Sequence, residues 1–165
     1  MLLEVDLLAR HLPRRRRVSQ MHWGGGTPTY YPAADLERLF RRIASHFEFT
    51  PDAEIGIEVD PRVTTHEQIA TLRRLGFNRV SMGVQDFSPE VQEAVHRVQS
   101  YDLTRALVEK AREEGFGSVN LDLIYGLPYQ TPRGLPPHAR PGDRASDRIA
   151  SRCTRSRSCP GSRPT

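Results

Sequence analysis

Two short junctions constrain this chain more than anything else in it: Leu75-Gly76-Phe77 and Glu114-Gly115-Phe116. Each follows a run with helical spacing, through Ile69, Leu72 and Leu75 in one case and Leu103, Ala106, Leu107 and Ala111 in the other. Each places Gly where a helix ends, the position at which a left-handed residue is cheap. Each then gives Phe and a strand-like run, Arg79 to Val84 and Val119 to Tyr125. One junction used twice implies repeated βα units. Such units build a mostly parallel sheet, because parallel strands need crossover helices.

The same alternation runs from residue 1 to about residue 126. Leu3, Leu7, Leu8 and Leu12 have helical spacing, and Val18 to Trp23 reads as a strand. Ala33 to Phe47 reads as a helix with Leu36, Leu39, Phe40, Ile43 and Phe47 on one face. Ile55, Ile57 and Val59 alternate with Glu54, Gly56 and Glu58, the period of a strand. Thr64 or Thr65 suits the N-cap of the helix over Thr65 to Leu75, and Ser88-Pro89-Glu90 opens a short helix to about His96. The fold class expected is α/β: four parallel strands with crossover helices over residues 1–133.

Residues 134–165 differ in kind. They hold seven Arg against two Asp, no aromatic residue, and only Leu135 and Ile149 as large aliphatics. A segment of this composition buries too little apolar surface to offset its ordering entropy, so a disordered C-terminal tail is expected. It resembles GC-rich coding sequence read in a shifted frame. The tail supplies the basic excess, so the net charge of +4 says little about the folded part. A nucleic-acid-binding segment would have to be driven by this tail, and no nucleic-acid partner is expected. Cys153 and Cys159, the two cysteines, fit no zinc or cluster spacing. No run of 18 apolar residues and no signal-peptide pattern occurs, so a cytoplasmic protein with no membrane partner is expected. Arg14 to Arg17 read as a solvated charge run, with a phosphate patch as the alternative.

In parallel α/β folds, ligands sit at the C-terminal ends of strands. Here all four ends carry polar or Gly-rich groups: Gly24-Gly25-Gly26-Thr27-Pro28, Glu58-Val59-Asp60-Pro61, Gly83-Val84-Gln85-Asp86, and Asp122 with Tyr125-Gly126-Leu127-Pro128. Four in succession point to a shared site. Glu58 either faces solvent or, on the inner face of a barrel, meets ribose hydroxyls; Asp122 stands in the same position. Gln85 reads as a loop amide or a ligand contact. Arg97 reads as a surface charge or as a bidentate clamp on a ligand carboxylate. His22 and Trp23 read as core packing.

Together with Phe77-Asn78-Arg79-Val80-Ser81-Met82-Gly83-Val84-Gln85-Asp86-Phe87, these motifs closely resemble the radical S-adenosylmethionine (SAM) enzymes of the oxygen-independent coproporphyrinogen III oxidase type, also called coproporphyrinogen dehydrogenases. The resemblance covers about residues 1–133. It implies a partial (β/α) barrel, a [4Fe-4S] cluster, two bound SAM molecules and a monomer. It implies oxidative decarboxylation of two propionate side chains of coproporphyrinogen III in haem synthesis, by a 5′-deoxyadenosyl radical. It carries Gly25 and Glu58 to the cluster-bound SAM, and Gly26, Thr27, Gln85, Arg97 and Asp122 to the second SAM. None of these is an acid–base catalyst. A haem-chaperone branch sharing the barrel, which binds haem without oxidase activity, is the alternative.

The chain also departs from that pattern. The family holds its cluster with C-x3-C-x2-C upstream of the glycines, and no Cys lies there. Thiolates hold such clusters, so no metal site is expected in this chain and it should be inactive alone. It reads as truncated at both ends, with two open sheet edges and marginal stability.

Overall fold

The computed structural model describes residues 1–12, 17–131 and, as backbone, 150–155. The elements in order are α1 (Leu2–His11), β1 (Arg17–Trp23), a 3-10 turn (Pro28–Tyr30), α2 (Ala33–Ala44), β2 (Glu48–Val59), α3 (His66–Arg74), β3 (Arg79–Gln85), α4 (Pro89–Ala94), α5 (Tyr101–Glu113), β4 (Ser118–Tyr125) and β5 (Ala150–Arg155). The strands form one sheet in sequence order, and every neighbouring pair is parallel. The α/β alternation read from the sequence is therefore the architecture.

The two repeated junctions close their helices in the same way. Gly76 (φ 103°) and Gly115 (φ 87°) take the left-handed conformation. Phe77 N–H then donates to Leu72 O, and Phe116 N–H to Ala111 O, each reaching back five residues in a Schellman closure. Both Phe side chains are buried by this turn. Phe77 becomes the centre of an aromatic cluster, with the Trp23 ring centroid at 5.0 Å and that of Phe40 at 5.5 Å. Around it lie Leu36 from α2, Ile69 and Leu72 from α3, Leu107 and Ala111 from α5, and Ile55, Ile57, Val80 and Met82 from the sheet. The capping residue of α3 is Thr65: its hydroxyl accepts from Gln68 N–H and the Gln68 side chain accepts from Thr65 N–H. Ser88 stands at the N-cap of α4 with Pro89 behind it, but its side chain makes no cap hydrogen bond.

The four parallel strands with crossover helices expected over residues 1–133 are β1 to β4. The backbone of 150–155 adds a fifth, β5, parallel to β4, with Asn120 opposite Ala150 and Tyr125 opposite Arg155. Pairing along a strand edge uses main-chain N–H and C=O groups, and this stretch contains neither Pro nor Gly to interrupt them. The Arg14–Arg16 run and the tail at 134–149 and 156–165, Cys159 included, lie outside the described residues.

β2 also begins earlier than its alternation indicates. Val18 pairs with Phe49 and Gln20 with Glu54, so one residue of β1 stands opposite four of β2. Pro51, with no N–H to donate, falls inside that bulge. Among the described residues, no helix is long and apolar enough to cross a membrane.

Candidate functional site

Alternation along each strand divides the sheet into two faces. The outer face is apolar and covered by α2, α3 and α5. The inner face carries Gln20 and His22 from β1, Glu54 and Glu58 from β2, Arg79 and Ser81 from β3, and Asn120 and Asp122 from β4. These groups pair across strands. Gln20 Nε2 donates to Glu54 Oε1 at 3.1 Å, Arg79 Nη1 to Glu54 Oε2 at 3.1 Å, and Ser81 Oγ to Asp122 Oδ2 at 2.7 Å.

At the C-terminal end of this face lies a cavity of about 190 Å³. It is lined by Gly26, Thr27, Glu58, Gln85, Arg97 and Asp122, six of the seven positions singled out in the sequence, together with Val59, Asp60 and Gly83. Gly25 does not line it. Gly25 faces an adjoining, larger cavity of about 810 Å³ that also takes in His22, Trp23, Gly24 and Tyr30. Thr27 lines both. Gly25 (φ 78°) and Gly26 (φ 65°) are both left-handed, so the loop turns sharply and carries no side chain at these two positions.

The loop geometry has local causes. The 3-10 turn after the glycines is anchored to α3, because Gln68 Nε2 donates to both Thr29 O and Tyr31 O at 2.8 Å. Gln85 has φ 70°, and Asp86 N–H donates to Val84 O at 2.9 Å. A three-residue turn centred on a non-glycine residue with positive φ is rare and strained. The β3–β4 register shifts at the same place. Strain of this kind persists where the surroundings over-determine it, and it concentrates at ligand sites. Here the buried Asp86 carboxylate accepts from Ser88 N–H at 2.6 Å and from Gln130 Nε2 at 2.6 Å. Gln130 Oε1 in turn accepts from Gly126 N–H at 2.7 Å, so the loops after β3 and β4 are tied together.

Arg97 arrives from the loop after α4. Its Nη2 donates to Gly83 O at 3.1 Å and to Asp60 Oδ2 at 3.1 Å. A Cβ on Gly83 would stand 3.2 Å from that nitrogen and 3.2 Å from Gln85 Nε2, so both polar groups approach because residue 83 has none. Two buried polar atoms of residues that line the cavity have no partner among the described residues: Arg97 Nε and Asp122 Oδ1. Buried polar groups are ordinarily satisfied. An orphan donor and an orphan acceptor lining one cavity fit a ligand that carries both kinds of group.

Two residues of this region escaped the sequence reading. His22 is not core: only Trp23 turns to the aromatic cluster. Adjacent strand residues point to opposite faces, so His22 lies on the inner face, with Nε2 3.3 Å from Glu58 Oε1. That alternation was the available signal. Asp60 is buried beneath Arg97 and Arg62. Burial works to raise its pKa. The hydrogen bonds from Arg62 side chain and backbone, and the charges of Arg97 and Arg62, outweigh burial and hold it below the ordinary carboxylate value.

A partial parallel barrel with a polar cleft at its strand ends is matched, over residues 2–140, by the radical SAM superfamily, and the chain belongs to that superfamily. At closer range it is 56% identical over 120 residues to the oxygen-independent coproporphyrinogen III oxidase of Escherichia coli, covering 73% of this chain and 26% of that one. It is 49% identical over 131 residues to the enzyme of the same name from Pseudomonas aeruginosa, covering 78% of this chain and 28% of that one. The solved structure of the E. coli coproporphyrinogen III oxidase, described as a radical SAM enzyme, superposes with a TM-score of 0.76 at 51% identity, over 81% of this chain and 30% of that chain. The chain thus spans under a third of the length of these relatives.

SAM and a [4Fe-4S] cluster are the cofactors this superfamily implies. The cleft fits the first. Its orphan carboxylate oxygen and guanidinium nitrogen, and its glycine loop without side chains, suit a ligand with hydroxyls, a carboxylate and a close-lying sulfonium. The residues do not fit the second: among those described, no group of three or more His, Cys, Asp or Glu could hold a metal ion.

Proposed function

We propose that this chain is the SAM-binding part of a radical SAM oxidase that decarboxylates the propionate side chains of coproporphyrinogen III without oxygen. One observation carries the reading: the strand ends of β2, β3 and β4, the glycine loop after β1 and the loop after α4 deliver Gly26, Thr27, Glu58, Gln85, Arg97 and Asp122 to one cavity, with Arg97 Nε and Asp122 Oδ1 lacking partners among the described residues. The names of the relatives support the substrate.

The residues then have distinct tasks. Glu58, half-exposed beside His22, accepts from ribose hydroxyls. Asp122, braced by Ser81, offers its second oxygen to a ligand N–H or O–H. Arg97 receives the carboxylate of the methionyl group, a charge-assisted contact. Gln85 presents its amide from the strained turn. Gly25 and Gly26 expose main-chain groups to a ligand on each side of the loop, so the two adjoining cavities suit two SAM molecules. When bound, SAM would supply the 5′-deoxyadenosyl group whose carbon takes a hydrogen atom from the propionate side chain, and the protein would position it and exclude water. No step through the cluster is assigned to this chain. We place the protein in the cytoplasm as a monomer, acting on a small molecule and not on nucleic acid.

A chimaera tests the proposal. The matching 120 residues of the E. coli relative are replaced by those of this chain, and the product is assayed anaerobically for protoporphyrinogen formation. Turnover that is lost on Asp122→Asn supports the reading. A chimaera that folds and holds its cluster but produces neither 5′-deoxyadenosine nor protoporphyrinogen overturns it.

A further inference from the structure

Asp60 stands two residues beyond Glu58 at the end of β2. Glu58 is half-exposed, whereas Asp60 is only 4% exposed. Two guanidiniums share its carboxylate. Oδ2 accepts from Arg62 Nη2 at 2.7 Å and from Arg97 Nη2 at 3.1 Å, and Oδ1 accepts from Arg62 Nε at 3.1 Å and from Arg62 N–H at 3.0 Å. Arg97 Nη2 is shared further with Gly83 O, so Arg97 is fixed at one end while its Nε has no partner among the described residues.

The charges explain why two arginines are needed. A lone carboxylate would cancel Arg97 and leave little pull on an anionic ligand. Arg62, about a third exposed and outside the cleft, supplies a second positive charge. The trio keeps a net positive charge, and Asp60 can orient Arg97 without neutralising it. The low pKa of Asp60 keeps the carboxylate ionised, so this arrangement is constant across physiological pH.

We infer that Asp60, neutralised by Arg62, is a positioning residue that holds the Arg97 guanidinium as the receptor for the ligand's carboxylate. This rests on the proposed reading of the cleft as a SAM site. Asp60 also has a structural role, since its main-chain oxygen accepts from Val63 and Thr64 N–H. A purely structural role would weaken every ligand alike, whereas a positioning role acts on the carboxylate alone.

The test uses two probes that differ only in that group: SAM and decarboxylated SAM, each titrated into the 165-residue chain. The ratio of the two affinities isolates the carboxylate contact. Asp60→Asn keeps the shape and the Arg62 N–H contact but removes the charge; Arg62→Gln removes the neutralising partner. Each should lower the ratio by about tenfold, as expected for a charge-assisted hydrogen bond. Affinity for the decarboxylated probe should stay within about twofold, as for groups that do not interact. Arg97→Gln should abolish the preference. An unchanged ratio in Asp60→Asn, or equal weakening of both probes, overturns the inference while leaving the cleft reading standing if Arg97→Gln still removes the preference. If Arg97→Gln has no effect, or the unaltered chain binds neither probe, the cleft reading falls and this inference with it.

Discussion

The two faces of the sheet are built to opposite rules. On the outer face Ile57, Val80 and Met82 are fully buried under three helices, and the aromatic trio of Trp23, Phe40 and Phe77 fills the middle. On the inner face, offset by one residue along the same strands, charged and amide groups pair across the strands, and Asp122 Oδ1 has no partner among the described residues. One face spends its residues on cohesion. The other holds groups that packing alone does not explain, and those converge at the strand ends. Stability and ligand recognition therefore reside in alternate positions of the same segments and should be separable by mutation.

The largest effect should come from the outer face. Phe77→Ala empties the centre of the aromatic cluster and should cost about 3–5 kcal/mol, enough to unfold much of a marginal domain. Urea denaturation followed by far-UV circular dichroism measures it, and a loss under about 1 kcal/mol would mean the cluster is not the core.

Asp122→Asn is the matching change on the inner face. It retains the shape and the Ser81 contact, so the urea midpoint should hold or rise. SAM affinity should fall by about ten- to a hundredfold, the range for a hydrogen bond to a charged group. Parallel loss of stability and affinity would erase the division between the faces.

Gln85→Gly sharpens the comparison, because it should move the two properties in opposite directions. Removing a side chain from a left-handed position relieves about 1 kcal/mol of backbone strain. Removing the amide should weaken SAM binding. A variant that is less stable would show that Gln85 is held for packing.

The smallest effect concerns pH. The folded-state pKa of Asp60 lies below its ordinary value of 3.8, so the unfolded chain takes up that proton first. The stabilisation is therefore complete above the ordinary value and is lost as pH falls through the lower, folded one. Thermal melts of the unaltered chain and of Asp60→Asn should keep a constant gap above about pH 5 and converge below it. A gap that opens instead between pH 6 and 8 would assign the effect to another group.

Much of the outer face was legible in the sequence, because it follows period: Leu36 and Phe40 on α2, Ile69 and Leu72 on α3, and the Gly-Phe closures are all local patterns. β5 was not legible, since edge pairing asks nothing of side chains. Nor was the first half of β2, where Pro51 and a four-residue bulge hide the alternation. At the site, the strand-end positions Glu58, Gln85 and Asp122 followed from register. Arg97 came from the family resemblance, because its approach depends on a left-handed His96 and on the missing Cβ of Gly83. Asp60 was passed over because burial between two arginines is a tertiary fact. The resemblance groups Gly25 with Glu58 on one ligand, but the loop turns Gly25 to the larger hollow while Glu58 lines the smaller one with the other five.

Hydrogen exchange with and without SAM tests most directly whether the polar strand ends form one ligand cleft. Binding should slow amide exchange together at residues 24–27, 83–88 and 122–127, and leave the α3 and α5 segments at 66–74 and 101–113, which line neither cavity, unchanged. Protection confined to those two helices, or no protection at saturating ligand, would contradict the account.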